Sequence, residues 1–389
     1  MSGPITSLDN EWAVLRSACS PVYSEEKTRR IRALLTSQNQ WPTLFDLADR
    51  HGVQPILAQA LFSVQDLVPA QELANLRKSY ESNLHKALFL SREFVRIVDC
   101  LSQAGIEFMP YKGLALAQTI YGDIALRQPG DIDLLIHATD LKRAREAVKA
   151  LGYLPHAPLS DAEEDAYLIS GYECALDSPL GRNLLEVQWA ILPRFYAVDW
   201  DIEAMFGRAV KVKVAGVPIR TPSLEDLYIL LALHAAKHVW ERLIWICDLA
   251  RIGSLAALNW EWIGAQSQKL GIVRIARVSL LLAQRLLDSP VPQAAQGCLP
   301  VDSSAGRIAE EIERYVLDEQ VFDLESRKYF TLMMSLRERR IDRIRFMSRL
   351  ALTPGPGEWG VVRLPKPLFP LYRLVRVGRL LARFAGRRS

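Results

Sequence analysis

Asp131 and Asp133 stand two residues apart in Asp131-Ile-Asp133-Leu-Leu-Ile136, a run that reads as a buried strand. Residues two apart on a strand point to one face, so both carboxylates project together while Ile132 and Leu134 face the other way. Two carboxylates side by side repel unless a cation lies between them. Hard oxygen ligands suit Mg²⁺, which commonly takes further oxygens from a substrate phosphate. Upstream, a short apolar run (106–111) delivers the chain to Lys112-Gly113, and 114–121 has helix formers with an apolar face. A helix starting after Gly113 offers free N–H groups to an anion, and glycine there permits close backbone approach. Lys112 and Arg127 add positive charge beside that spot. Pro129-Gly130 then breaks the helix ahead of the first aspartate. Residues 112–133 thus combine a phosphate cradle, a carboxylate pair and two cations.

A third carboxylate would complete a two-metal site. The run 182–191 is apolar and strand-like with Glu186 at its centre, and it follows 172–176 across 177–181, which reads as a hairpin turn. That pairing would bring Glu186 beside the Asp131/Asp133 strand. Taken singly, each feature has a plainer reading. An Asp-x-Asp on a strand is more often a pair of solvated edge residues, and a lone strand glutamate more often has a salt-bridge partner.

In their order and context these residues resemble the nucleotidyltransferase superfamily with the polymerase-beta-like fold. Lys-Gly, a helix, an Arg, Asp-hydrophobic-Asp and a later hydrophobic-Glu-hydrophobic strand carry the likeness. Within the superfamily the chain is similar to a bacterial group of uncharacterised nucleotidyltransferases, with further likeness at Leu185–Trp189 and His234–Asp248 and an extent of roughly residues 80–255. Two positions depart from the pattern. The usual Gly-Gly or Gly-Ser is Lys-Gly here, as in toxin-type relatives, and Gln188 stands where the group often has His, which leaves its role open.

The resemblance implies an α+β fold, a mixed-sheet nucleotidyltransferase core flanked by N- and C-terminal helical regions. It also implies transfer of a nucleoside monophosphate from an NTP such as ATP to an acceptor hydroxyl, with release of pyrophosphate. Asp131, Asp133 and Glu186 would hold two Mg²⁺ ions, with Glu186 as a ligand or as the base for the attacking hydroxyl. Lys112, Gly113 and Arg127 would hold the β- and γ-phosphates. The acceptor, whether small molecule, peptide or RNA, is not specified. Two rival readings are a toxin-like enzyme acting on tRNA or protein, and a non-catalytic binding module tethered by a basic tail.

The elements around this core read as helical. Residues 1–104 form an expected helical lobe, with segments at 25–35, 41–50, 55–62 and 71–104; 105–221 is the expected catalytic core and 222–350 a second helical domain. Within the core, 139–151 reads as a helix with an N-cap candidate and a stop at Gly152, 210–219 as a strand hairpin, and the acidic cluster 161–165 as a solvated loop. Ser223, with Glu225 and Asp226 behind it, resembles a helix start. That helix carries His234 and His238 four apart, a metal-ligand spacing. With no Glu after the first His and no clear third soft ligand, the better readings are closure of the active site near the triphosphate or acceptor, by these histidines or Lys237, or structural histidines. Asp248 and Trp245 read as packing or supporting residues.

The 389 residues suffice for two or three domains with real cores. Half of them are apolar and a quarter charged, as in an ordinary globular protein. Five scattered cysteines without a CxxC argue for reduced thiols in a cytoplasmic protein and against a structural zinc site. No secretory leader or membrane-spanning run is expected. The net charge of +4 is segregated: residues 339–389 carry 13 Lys/Arg and 2 acids, a balance of +11, which leaves −7 for the rest. Beyond the Pro/Gly break at 353–357, the tail spaces its arginines as a basic amphipathic helix with Leu371, Leu374, Val375 and Leu381 largely opposite. It suits an anionic membrane surface, an acidic partner, or an acidic groove on the protein's own net-negative body.

Overall fold

A computed structural model describes residues 7–21, 24–300 and 302–386. The first six residues of the stretch read for a leader, and Arg387 at the end of the basic tail, lie outside them.

The sheet that positions the chemistry has five strands in the order β1-β2-β5-β4-β3. They are β1 (Phe108–Pro110), β2 (Ile132–Ile136), β3 (Leu154–Pro155), β4 (Glu173–Asp177) and β5 (Leu184–Gln188). Only β2 and β5 run parallel; β1 and β4 flank them antiparallel, so the sheet is mixed. The β4–β5 hairpin turns where the sequence predicts, and Ser178 Oγ accepts the backbone N–H groups of Arg182 and Asn183 at 3.1 and 3.2 Å. A second hairpin, β6 (Val210–Val214) and β7 (Val217–Thr221), turns through Ala215 and Gly216, both at positive φ. It joins the core through Thr221, whose hydroxyl donates to the Pro110 carbonyl at 2.9 Å.

Every residue of β2 is buried, because both faces of the sheet are covered. Ile132, Leu134 and Ile136 pack into one apolar cluster with Phe94, Ile97 and Leu101 of the Ala70–Gln103 helix. The buried positions of that helix recur three or four apart, the stripe of a helix laid against a sheet. It ends where Gly105 takes φ +65° and the Ile106 N–H donates back to the Leu101 carbonyl at 3.0 Å. The opposite face of β2 carries Asp133 and Leu135. Leu135 belongs to a larger cluster that includes Leu57 from the N-terminal helices and Leu230, Ile246 and Leu282 from the later ones. The chain is therefore α+β, a mixed sheet flanked by helices on either side of it in sequence.

Three local expectations need correction. The acidic cluster 161–165 is not a loop but the first turn of the Asp161–Ser170 helix, closed by a capping box between Ser160 and Glu163. Its acids are partnered as well, Glu164 with Arg145 and Asp165 with Lys142 and Lys366. The helix expected over 139–151 begins with a 3-10 turn, Ala138–Asp140, and runs Leu141–Lys149 with no side-chain cap bond. The helix after Gly113 is α-helical only over Gly113–Leu116, then widens into a π-helix, Ala117–Tyr121, and stops at Gly122 with φ +75°.

The basic tail forms the Tyr372–Gly386 helix and docks on the protein's own body. Arg376 and Arg379 both pair with buried Glu358, at 3.1 and 2.5 Å, and Arg383 pairs with Glu325 at 2.7 Å. Of the surfaces open to it in the sequence, it is its own chain that these arginines meet, through Glu358 just upstream and Glu325 of the body. Among the described residues no helix is long and apolar enough to cross a membrane.

Candidate active site

Parallel pairing of β2 with β5 places Asp133 directly opposite Glu186. Asp131, one residue before β2, completes the group. One carboxylate oxygen from each of Asp131, Asp133 and Glu186 lies within 4.8 Å of the others, and this is the sole cluster of potential metal ligands among the described residues. The three border a cavity of about 740 Å³, ample for a nucleotide, together with Lys112, Arg127 and Lys237.

The electrostatics are those of a site short of positive charge. The charge of Asp133 and partial burial push the Asp131 carboxyl up to about 6. Burial, with Asp133 and Glu173 beside it, pushes Glu186 up to about 8. Lys112 partly offsets this, its Nζ lying 3.2 Å from Asp133 Oδ1. Burial works against the Lys112 ammonium, but Asp133, with Glu186 and Asp131 behind it, outweighs burial and raises its pKa. Three hard oxygen donors converging beside one lysine fit a divalent cation. The lysine arrives through the Lys112-Gly113 turn: Gly113 has φ +51°, and a Cβ there would come within 3.1 Å of the Asp131 carbonyl oxygen. The close approach that glycine permits is thus to the Asp131 backbone.

Gln188, whose role the sequence left open, sits wholly buried at the centre of this group. Its Nε2 lies 3.3 Å from Asp133, 3.3 Å from Glu173 and 3.2 Å from Glu186, while its Oε1 accepts the Tyr111 hydroxyl. One amide therefore ties three carboxylates from three strands. Glu173 is a fourth acid that the sequence reading did not single out. It lies opposite Gln188 in the β4–β5 register and takes a hydrogen bond from the Tyr172 hydroxyl.

Arg127 is committed elsewhere than expected. Its Nε and Nη2 engage Asp248 at 3.1–3.3 Å, and Tyr121 Oη donates to the same carboxylate at 2.6 Å. Arg127 still borders the cavity, but its charge is neutralised by a fully buried aspartate.

The Leu224–Lys237 helix starts where predicted, with Ser223 Oγ accepting the Asp226 N–H at 3.2 Å. It brings His234, Lys237 and, at its C-cap, His238 to the cavity. The two imidazoles lie 4.9 Å apart by ring centroid and both pack against Trp245. Burial lowers both, His238 to about 3 with Lys237 contributing, so they stand as neutral rings beside the carboxylates. Lys237 lies over the Tyr172 ring at 4.6 Å and donates to its hydroxyl at 2.7 Å; burial brings the ammonium down to about 8. From the N-terminal helices, Asp49 and Arg50 reach the rim, and Gln128 Nε2 donates to Asp49 at 3.1 Å.

A family model described as uncharacterised nucleotidyltransferase matches residues 37–288. The chain belongs to that family. The match takes in the whole five-stranded sheet, the carboxylate cluster and the Leu224–Lys237 helix, so the family supports a transferase that uses a nucleotide substrate. No curated protein and no solved structure matches the chain.

Proposed function

We propose that the protein transfers a nucleoside monophosphate from an NTP to an acceptor hydroxyl in a divalent-metal-dependent reaction that releases pyrophosphate. The observation that carries this reading is the convergence of Asp131, Asp133 and Glu186 on one cavity within a nucleotidyltransferase-family chain. In this reading the three carboxylates hold Mg²⁺, as a pair of ions. When bound, the metal would neutralise the triphosphate and stabilise charge developing on the transferred phosphoryl group.

The chain's own groups do the rest. Lys112, whose ammonium lies beside Asp133 at the cavity, would meet the β- and γ-phosphates. Gly113 packs against the Asp131 backbone and so sets Lys112 beside Asp133. Arg127 braces the cavity wall through Asp248, a more modest role than the phosphate clamp expected of it. His234 and His238, kept neutral, border the triphosphate without adding repulsion to the metal. Glu186 accepts the proton of the acceptor hydroxyl as its oxygen forms the new bond to the α-phosphorus. The bond from that phosphorus to the β-phosphate oxygen breaks, and pyrophosphate leaves. Gln188 keeps the carboxylates aimed.

The test is incubation with each α-³²P-labelled NTP, Mg²⁺ and a lysate of the host, beside Asp131→Ala. Label moving into one product with the wild type alone supports the reading. Label transfer that survives in Asp131→Ala overturns it.

A further inference from the structure

A second cavity, of about 410 Å³, adjoins the carboxylate cavity. Tyr172, Lys237 and His238 border both and form a wall that the two cavities share. Part of its lining is aromatic, from Phe195, Tyr196, Tyr329 and Phe330. This part is tied to the shared boundary: the Tyr329 hydroxyl donates to the Lys237 carbonyl at 2.8 Å and is hydrogen-bonded to the Tyr196 hydroxyl.

The C-terminal segment supplies the rest. Arg376, Arg379 and Arg383 of the last helix line the cavity, with residues 353–357, which lead into the Pro356–Trp359 helix, beside them. Their ion pairs fix them in place without cancelling them, since Glu358 meets two guanidinium groups with one charge. Across the lining, the three arginines meet only Glu325 and Glu358, three cations against two carboxylates, while Lys237 on the shared wall also faces the acids of the first cavity. A half-buried surplus of positive charge beside aromatic side chains suits a flat molecule carrying an anion.

We propose that this second cavity is the acceptor subsite, and that it takes a small hydroxyl-bearing acceptor with a planar ring and an anionic group. The inference rests on the transferase reading above and names the class of its second substrate. The ring lies against the aromatic side chains, the anion meets the arginines of the last helix, and the hydroxyl passes Tyr172 and Lys237 toward Glu186. The tail is then part of the site, which gives its docking on the body a function.

Calorimetry and saturation-transfer NMR on the full chain test this with three probes. 4-(Hydroxymethyl)benzoate has ring, anion and hydroxyl; benzyl alcohol lacks the anion; glycerate lacks the ring. The expected result is binding of the first at least about tenfold tighter than the other two, with a loss of about tenfold in Arg379→Ala and in Phe330→Ala. Binding of Mg²⁺ with a non-hydrolysable NTP analogue is read in parallel and stays intact in both variants, which also reports that they fold. Equal binding of the three probes, no binding of any, or binding indifferent to both substitutions overturns the subsite while the analogue still binds. Transfer of label to a tRNA pool with no probe bound overturns it in favour of a polymeric acceptor. Failure of the wild type to bind the NTP analogue would instead strike the transferase reading itself.

Discussion

Asp248 and Asp133 are both buried aspartates close to the same cavity, and they are neutralised in different ways. Asp248 is wholly enclosed, with Arg127 donating through two nitrogens and Tyr121 adding a hydroxyl. Its charge is answered within the chain. Asp133 is nearly as buried, yet it shares Lys112 with Asp131 and Glu186, and Glu173 stands close by. Four carboxylates beside Lys112 and Lys237 outnumber their partners, and the excess shows in the raised Asp131 and Glu186. A buried ion pair with its hydrogen bonds satisfied holds structure, whereas a buried excess of one sign awaits a ligand of the other.

That contrast can be broken by substitution. Asp133→Asn should lower nucleotide transfer on the order of 10³-fold or more, because it removes a carboxylate proposed to hold the charge-stabilising metal. Its melting temperature should move by only about 2 °C, since a repulsive neighbour of Asp131 is lost along with an attractive one of Lys112. Asp248→Ala should do the reverse. Leaving Arg127 buried without its partner should cost about 3–5 kcal/mol of stability in denaturant titration. If Asp248→Ala melts like the wild type, the assignment of that pair to structure is wrong.

Gln188→Leu sharpens the comparison. It keeps the volume and removes the amide that ties Asp133, Glu173 and Glu186, and it should weaken Mg²⁺ binding by about 10- to 100-fold. Gln188→Asn, with a shorter amide, should fall between the two.

The pH dependence is a smaller effect with a definite sign. Glu186 and Asp131 are raised to about 8 and about 6 in the metal-free protein, so below those values the proton is held and competes with metal. Mg²⁺ affinity should therefore rise with pH, by about tenfold per unit wherever one proton is displaced, and level off above pH 8. Calorimetric titrations at pH 6, 7 and 8 would show it; an affinity flat across that window would contradict the crowded-carboxylate picture.

Legibility in the sequence follows the same division. Asp131, Asp133 and Glu186 could be read because strand alternation and a hairpin turn are local signals, and together they fix which carboxylates share a face. Glu173 and Tyr111 could not. Each reaches the site only through strand pairing, and neither has a spacing that marks it. Lys237 was visible only as one of several polar residues on a helix, because the rotation of that helix depends on its packing. Arg127 borders the cavity as expected, but its pairing could not be read for a related reason: its partner Asp248 lies 121 residues away. The acidic cluster carries a local helix signal of its own, since Ser160 followed by Glu163 is a capping-box pattern. The tail showed its arginine stripe plainly. The direction in which the stripe faces depends on Glu325 and Glu358, on separate elements.

The central claim is that the carboxylate cluster binds a divalent cation together with a nucleotide. The most direct measurement is Mn²⁺ binding followed by electron paramagnetic resonance, with and without a non-hydrolysable NTP analogue, in the wild type and in Asp133→Asn. Bound Mn²⁺ that increases with the analogue in the wild type and disappears in the variant is the predicted result. Mn²⁺ bound equally by both proteins, or by neither, would contradict it.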